Sequence, residues 1–263
     1  MSLQKYLILP KLVSLLIGAP RDRAKAWETF WSRVRHTGEG GDVLWDIENE
    51  AEMAGARERL LSLMDLSLPI VDIGCGNGRF TRKLAAHFSQ AVGVDVSPSA
   101  VRLAQTESRG VENATFRALD MALPDQGRRL AAEIGPSHAF VRGVLHVIPH
   151  DARVVMVENI RHLLGDKGSL YLVESDFHGD PLEHLVYQGA TPTAFPEPLR
   201  LSIASGLRPP EHFGEAELER YFPSERWKRV ASGPTILHTL PMVDRTRKTD
   251  ELSALYAILT PHR

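Results

Sequence analysis

Cysteine is nearly absent: Cys75 stands alone in 263 residues, so no internal disulfide can form. No Cys/His group has the spacing of a zinc ligand set, and the sequence assigns no metal ligands. A single thiol favours a reducing, cytoplasmic setting. Excess charge of one sign is missing too: 31 Lys and Arg face 33 Asp and Glu, a formal charge of −2. Nucleic-acid binding is therefore not expected, since it calls for a basic face. No apolar run reaches the ~20 residues of a membrane span. Residues 3–17 come nearest, but Pro10 and Lys11 split them and no small-residue cleavage site follows. That segment is expected to dock as a helix, with attachment to a membrane surface as the alternative. It also offers a face through which a homo-oligomer could form. Repeats and low-complexity tracts are lacking. At 43% hydrophobic and 24% charged residues, the composition is that of a soluble globular protein, long enough to bury a core without covalent staples.

What is present is an alternation. Residues 22–35 read as a helix from the stripe Ala24, Trp27, Phe30/Trp31 and Val34. The segment 37–41 (TGEGG) breaks it, and a second helix follows over 49–63. From residue 69, strands are expected at 69–73, 91–95, 114–118, 138–142 and 169–174, with helical patterns between them. Ser97-Pro98 is a cap followed by proline at the first helical position. Asp151 and Gly165 punctuate a later helix. This order predicts an α/β fold, a doubly wound and mostly parallel sheet covered on both faces. The stretch 177–212, with Pro181, Pro192, Pro196, Pro198, Pro209 and Pro210, reads as a long irregular insertion after the fifth strand. Beyond a short helix at 215–221, two strand-like segments, 227–232 with 235–240 and 253–259, predict a terminal hairpin, which brings the sheet to seven strands. Residues 1–65 are thus a helical lid or docking segment, 66–263 the alternating domain, and 177–212 a substrate-side insertion.

The chemistry concentrates at Val71-Asp72-Ile73-Gly74-Cys75-Gly76-Asn77-Gly78. Glycines between strand and helix let the backbone turn sharply and a ligand come close. A dinucleotide fold places its third glycine where Arg79 stands. Asp72 would repel a pyrophosphate, and no phosphate-gripping lysine follows, so the P-loop reading fails as well. The turn suits a cationic ligand without phosphate. Asp95 ends the second strand at the edge where open α/β sheets bind ligands, and its carboxylate can accept from both hydroxyls of a ribose. Asp120 follows the third strand, where it can accept from an exocyclic amine while Met121 covers a ring.

Taken in order, VDIGCGNGRF, VGVDVS, FRALDM, HAFVRGVLHVI and GSLYLVES resemble the motifs of class I S-adenosylmethionine-dependent methyltransferases over about residues 68–175. The resemblance implies the Rossmann-like methyltransferase fold and S-adenosyl-L-methionine as cofactor. By this likeness Asp72, Gly74, Cys75, Gly76 and Gly78 surround the methionyl part, and Asp95 with Val96 takes the ribose. Asp120 and Met121 receive the adenine, and Arg142-Gly143 faces the amino-acid end. One departure is His138 at the fourth strand's start, where many members carry an acid. The pattern AWETFW…TGEGGDVLWD is similar to natural-product methyltransferases, which implies a small-molecule acceptor in secondary metabolism.

Methyl transfer from a sulfonium is an in-line displacement, in which positioning supplies most of the acceleration. An oxygen acceptor also needs a base. His146, just after the fourth strand, is the first candidate and His178, after the fifth, the second; His150 beside Asp151 belongs to a helix start. Trp27, Trp31 and Trp45 are read as a lid over the acceptor, with Tyr187 in the opposite wall. Nitrogen or carbon methylation, and a non-catalytic assembly partner, are the competing functions. The three acids weigh against the latter.

Overall fold

The computed structural model describes residues 3–47, 50–241 and 249–262. A 3₁₀ turn (Leu3–Ile8) leads into α1 (Leu9–Leu16), where Pro10 occupies the first turn, the helical position that tolerates it. Lys5 is buried and pairs with Asp180 (2.5 Å) and Glu183 (3.0 Å), while Ile8, Leu12 and Leu15 pack on the insertion. The segment docks on the protein, leaving Leu7, Val13 and Ile17 outward. No helix among the described residues is long and apolar enough to cross a membrane. α2 (Arg23–Trp31) is capped by Asp22, whose carboxylate accepts from Lys25 N–H at 2.8 Å. α3 (Glu50–Leu63) follows; residue 49 of the helix expected there lies outside the described residues.

The alternating region runs β1 (Ile70–Ile73), α4 (Arg79–Ala85), β2 (Ala91–Asp95), α5 (Pro98–Glu107), β3 (Ala114–Ala118), α6 (Gln126–Ile134), β4 (His138–Arg142), α7 (His150–Leu164) and β5 (Leu170–Ser175). The insertion contributes α8 (Pro181–Tyr187) and α9 (Glu197–Ala204), then α10 (Glu215–Tyr221), β6 (Trp227–Thr239) and β7 (Asp250–Pro261). The seven strands lie in the order β3-β2-β1-β4-β5-β7-β6, and only β7 is antiparallel to its neighbours. β1 and β2 are buried throughout, as strands covered on both faces must be. Sequence direction reverses between β1 and β4, so the crevice beyond their carboxyl ends is the sheet's natural ligand site.

One expectation is corrected. Residues 177–212 are only partly irregular, because they hold α8 and α9; Asp180 caps α8 through the N–H groups of Leu182 and Glu183, and Pro181 starts it. The segments at 227–232 and 235–240 run together as one strand through Gly233-Pro234. Proline is accepted there because β6 is the sheet's edge.

Both faces of the sheet carry packed layers. On one, Phe140 stacks between Phe80 (5.7 Å) and Tyr171 (5.5 Å). On the other, α6 and α7 approach until Gly127 meets backbone, and Asn159 Oδ1 accepts from Gly127 N–H at 2.9 Å. A Cβ on Gly127 would sit 1.9 Å from the Asn159 carbonyl oxygen. Gly127→Ala is expected to destabilise the fold by about 3 kcal/mol through overpacking, read as a lowered urea midpoint. An unchanged midpoint would contradict this packing.

Candidate active site

At the end of β1 the chain turns through three left-handed glycines, Gly74, Gly76 and Gly78, with φ of +79°, +53° and +76°. A Cβ on Gly74 would lie 2.6 Å from Val144 Cγ2, and one on Gly76 would lie 2.8 Å from the Trp31 ring. The bend is therefore bare by necessity. Gly78 faces the opposite way, toward Phe116 and Ala104, and is absent from the cavity wall. There its lack of a side chain lets α4 pack closely against α5 and β3.

The other residues expected at the cofactor border one cavity of about 440 Å³. Asp95 closes the bend from β2: Gly76 N–H donates to its Oδ2 (3.0 Å) and Ser97 N–H to its Oδ1 (2.9 Å). Asp72 accepts from the Thr81 hydroxyl at 2.6 Å. Among the described residues neither acid has an ion-pair partner. Burial pushes the Asp72 carboxyl up to about 7 and that of Asp95 up to about 6. Two desolvated acids in one wall, beside a backbone with no Cβ, fit a ligand that brings its own positive charge and hydroxyl donors. Asp120 differs. Its Oδ1 accepts from Ala122 N–H at 3.0 Å and its Oδ2 pairs with Arg23, so an incoming amine must share or displace that guanidinium.

The N-terminal segment is fastened across this crevice. Glu28 accepts from the Ser97 and Ser99 hydroxyls (2.6 Å each) and from Ser99 N–H (3.0 Å). Asp46 is buried, accepts from Asn77 Nδ2 at 2.9 Å and pairs with Arg79 Nε at 2.7 Å. Trp27, Trp31 and Trp45 border the cavity; Trp27 meets Trp45 edge-on at 5.7 Å. Neither Glu28 nor Asp46 stood out in the sequence, although Asp46 ends the segment TGEGGDVLWD.

His146 reaches the cavity from a 3₁₀ turn (Leu145–Val147) that follows β4. Its Nδ1 lies 2.5 Å from Glu174 Oε2. Glu174 is fully buried and accepts as well from the N–H groups of Val144, Leu145 and His146 at 3.1, 2.9 and 3.1 Å. When Nδ1–H donates to this carboxylate, Nε2 keeps its lone pair; Ser175 N–H also faces Nδ1, at 3.4 Å. Sequence reasoning missed Glu174, which reads as one more residue at the end of an apolar strand. His178 is 71% exposed and outside the cavity wall, paired with Asp176 instead. Tyr187, 58% exposed at the end of α8, is also outside it; His184, one turn earlier, borders the cavity in its place. His150 meets the Tyr221 hydroxyl at 2.6 Å. His138 spends both ring nitrogens on backbone, receiving Ser169 N–H at 3.0 Å and facing the Asp65 carbonyl at 3.0 Å, and its burial lowers its pKa. Its role at the start of β4 is structural.

Comparison with known proteins agrees with this geometry. Residues 71–170 match the family described as a methyltransferase domain. A solved S-adenosylmethionine-dependent methyltransferase from Anabaena variabilis is 27% identical, covering 93% of this chain and 97% of its own, with a TM-score of 0.79. The trans-aconitate 2-methyltransferase of Methylobacterium nodulans is 29% identical over 172 residues, and the match spans 62% of this chain and 62% of that protein's length. Magnesium protoporphyrin IX methyltransferase from Synechocystis, solved with S-adenosylhomocysteine, shares the fold at 18% identity, 80% and 82% coverage and a TM-score of 0.52. Residues 71–170 thus resemble a methyltransferase domain, and nearly the whole chain shares its fold with a solved S-adenosylmethionine-dependent methyltransferase.

The Asp72 carboxyl generates a test in the ligand-free protein. The unfolded chain ionises near its ordinary 3.8, whereas the folded one holds the proton up to about 7. Stability present at low pH is therefore lost as pH rises through that window, by up to ~1.4 kcal/mol per pH unit. Asp72→Asn removes the titration, so its stability relative to wild type is expected to climb from pH 4 to pH 7 in urea melts. A difference constant with pH would contradict the buried, proton-holding carboxyl.

Proposed function

We propose that the protein methylates a hydroxyl of an apolar, uncharged small molecule, with His146 as the general base and Glu174 as its positioning residue. When bound, S-adenosylmethionine supplies an electrophilic methyl group on a sulfonium. The Asp72 carboxylate would face the positive charge, Asp95 the ribose hydroxyls, and Met121 and Asp120 the adenine. Residues 1–65 then act as a lid and 177–212 as the acceptor wall. A cytoplasmic site of action is consistent with the buried, unpaired Cys75 thiol.

The observation that carries the oxygen assignment is the His146–Glu174 contact at 2.5 Å, with His146 at the cavity. Glu174 fixes the ring and stabilises the imidazolium that forms when Nε2 takes the acceptor's proton. A nitrogen or carbon acceptor gives this arrangement less to do. Acceptor polarity follows from the wall. Arg23, Arg79, Arg142 and Arg208 all border the cavity, yet each is paired, with Asp120, Asp46, Glu52 and Glu211 respectively. Leucines 12, 44, 182, 185 and 199 form much of the remaining surface. A polycarboxylate such as that in the name of the Methylobacterium relative would need free cations in this wall, so an apolar alcohol or phenol is the better match.

Methyl transfer from labelled S-adenosylmethionine to a panel of phenols and alcohols tests the reading. His146→Ala is expected to lower kcat by about 10²–10⁴-fold and leave cofactor affinity unchanged. Glu174→Gln, which keeps the shape but weakens the hold on the ring, should lower kcat and leave cofactor affinity unchanged. Full turnover by His146→Ala would remove the histidine from the reaction.

A further inference from the structure

Behind the acceptor wall, two imidazoles and a carboxylate converge outside the machinery described so far. His178 Nε2 lies 3.2 Å and His212 Nδ1 3.1 Å from the same Asp176 Oδ1. One ligand atom from each residue lies within 4.8 Å of the others. We propose that Asp176, His178 and His212 bind a divalent transition-metal ion of the zinc type, which clasps the segment before α10 to the end of β5.

The spacing suits that ion. Bonds of about 2.0–2.1 Å in tetrahedral geometry separate ligand atoms by ~3.3 Å. The alternatives satisfy the group less well. Asp176 Oδ1 and His212 Nδ1 are both buried without a hydrogen-bond partner, although they face each other, so the contact lacks hydrogen-bond geometry. Two protonated rings with centroids 3.9 Å apart would repel. A shared cation satisfies the carboxylate oxygen and both ring lone pairs together.

The surroundings prepare His212 for this role. Its Nε2 points at Glu217 Oε2, 3.4 Å away, and that oxygen is held by Gly214 N–H at 3.0 Å. With its proton on Nε2, on the side of the Glu217 carboxylate, His212 leaves Nδ1 free to ligate, the arrangement common to metal-bound histidines. Gly214 makes the space, since a Cβ there would stand 2.8 Å from both Asp176 Oδ1 and His212 Nε2. Two imidazoles with one carboxylate select zinc-type ions over Mg²⁺ or Ca²⁺, which take oxygen ligands. Because 34 positions of chain separate His178 from His212, spacing rules gave no sign of the group.

The ion's position sets its purpose. Ser175, Phe177, Pro209 and Pro210 border the cavity, while Asp176, His178 and His212 do not. Phe213 N–H already donates to the Ser175 carbonyl at 2.8 Å, so the two segments touch there. The ion therefore holds the acceptor wall rather than activating substrate, with an open coordination position on the exposed His178 side.

The experiment uses untagged, chelator-stripped full-length protein titrated with Co²⁺ and then Zn²⁺. One equivalent of Co²⁺ should give the visible d–d bands of a tetrahedral site, and one equivalent of Zn²⁺ should bleach them. His178→Ala, at an exposed position that leaves folding intact, and His212→Ala should each weaken Zn²⁺ by more than about tenfold, and Glu217→Gln by roughly tenfold. Circular dichroism on each variant separates ligand loss from unfolding. The proposal is overturned by no Zn²⁺ binding at millimolar concentration, by binding unchanged in folded His178→Ala and His212→Ala, or by Mg²⁺ binding more tightly than Zn²⁺. None of these readouts depends on methyl transfer.

Discussion

The hydrogen bond from Gly76 N–H to Asp95 is the contact on which the site depends. It ties the bend after β1 to the end of β2, and it can form only because the bend takes left-handed backbone without side chains. Val144 and Trp31 press on the bend from outside, so any Cβ there displaces a neighbour. The Asp95 carboxylate is oriented by two backbone donors yet retains acceptor capacity for a ligand. Burial then makes charge on Asp72 and Asp95 costly until something cationic arrives. The site is thereby biased toward a positively charged ligand before any specific contact forms.

The N-terminal segment extends the same electrostatic logic. Glu28, Arg23 and Asp46 reach from the N-terminal segment to the turns after β2, β3 and β1. Each is a polar tie at the rim of the crevice, while the aromatic faces of Trp27, Trp31 and Trp45 supply the apolar cover. These ties are largely shielded from water, Asp46 being buried, so they hold the segment against the edge of the sheet.

Much of this was legible in the chain because its causes are local. Apolar runs ending in glycine or aspartate fixed the five parallel strands, and the successive positions of Asp72, Asp95 and Asp120 marked one edge of the sheet. The signal for α8 was also present, as Asp180-Pro181 is a cap followed by a first-turn proline, but the proline density around it obscured the helix. Glu174, Glu28 and Asp46 were not legible, because each acts on a partner brought near only by the fold. His178 and Tyr187 show the converse: closeness to the cavity in sequence does not orient a side chain into it. His146 differs from them in having a buried carboxylate to hold it.

The most direct test of the glycine bend and its acid is calorimetric titration of S-adenosylmethionine into the wild-type protein and into Asp95→Ala. One site per wild-type chain and an affinity reduced more than about tenfold in the variant, equivalent to ~1.4 kcal/mol or more, are predicted. Equal affinity in the two proteins, or no heat up to millimolar ligand with wild type, would contradict the account.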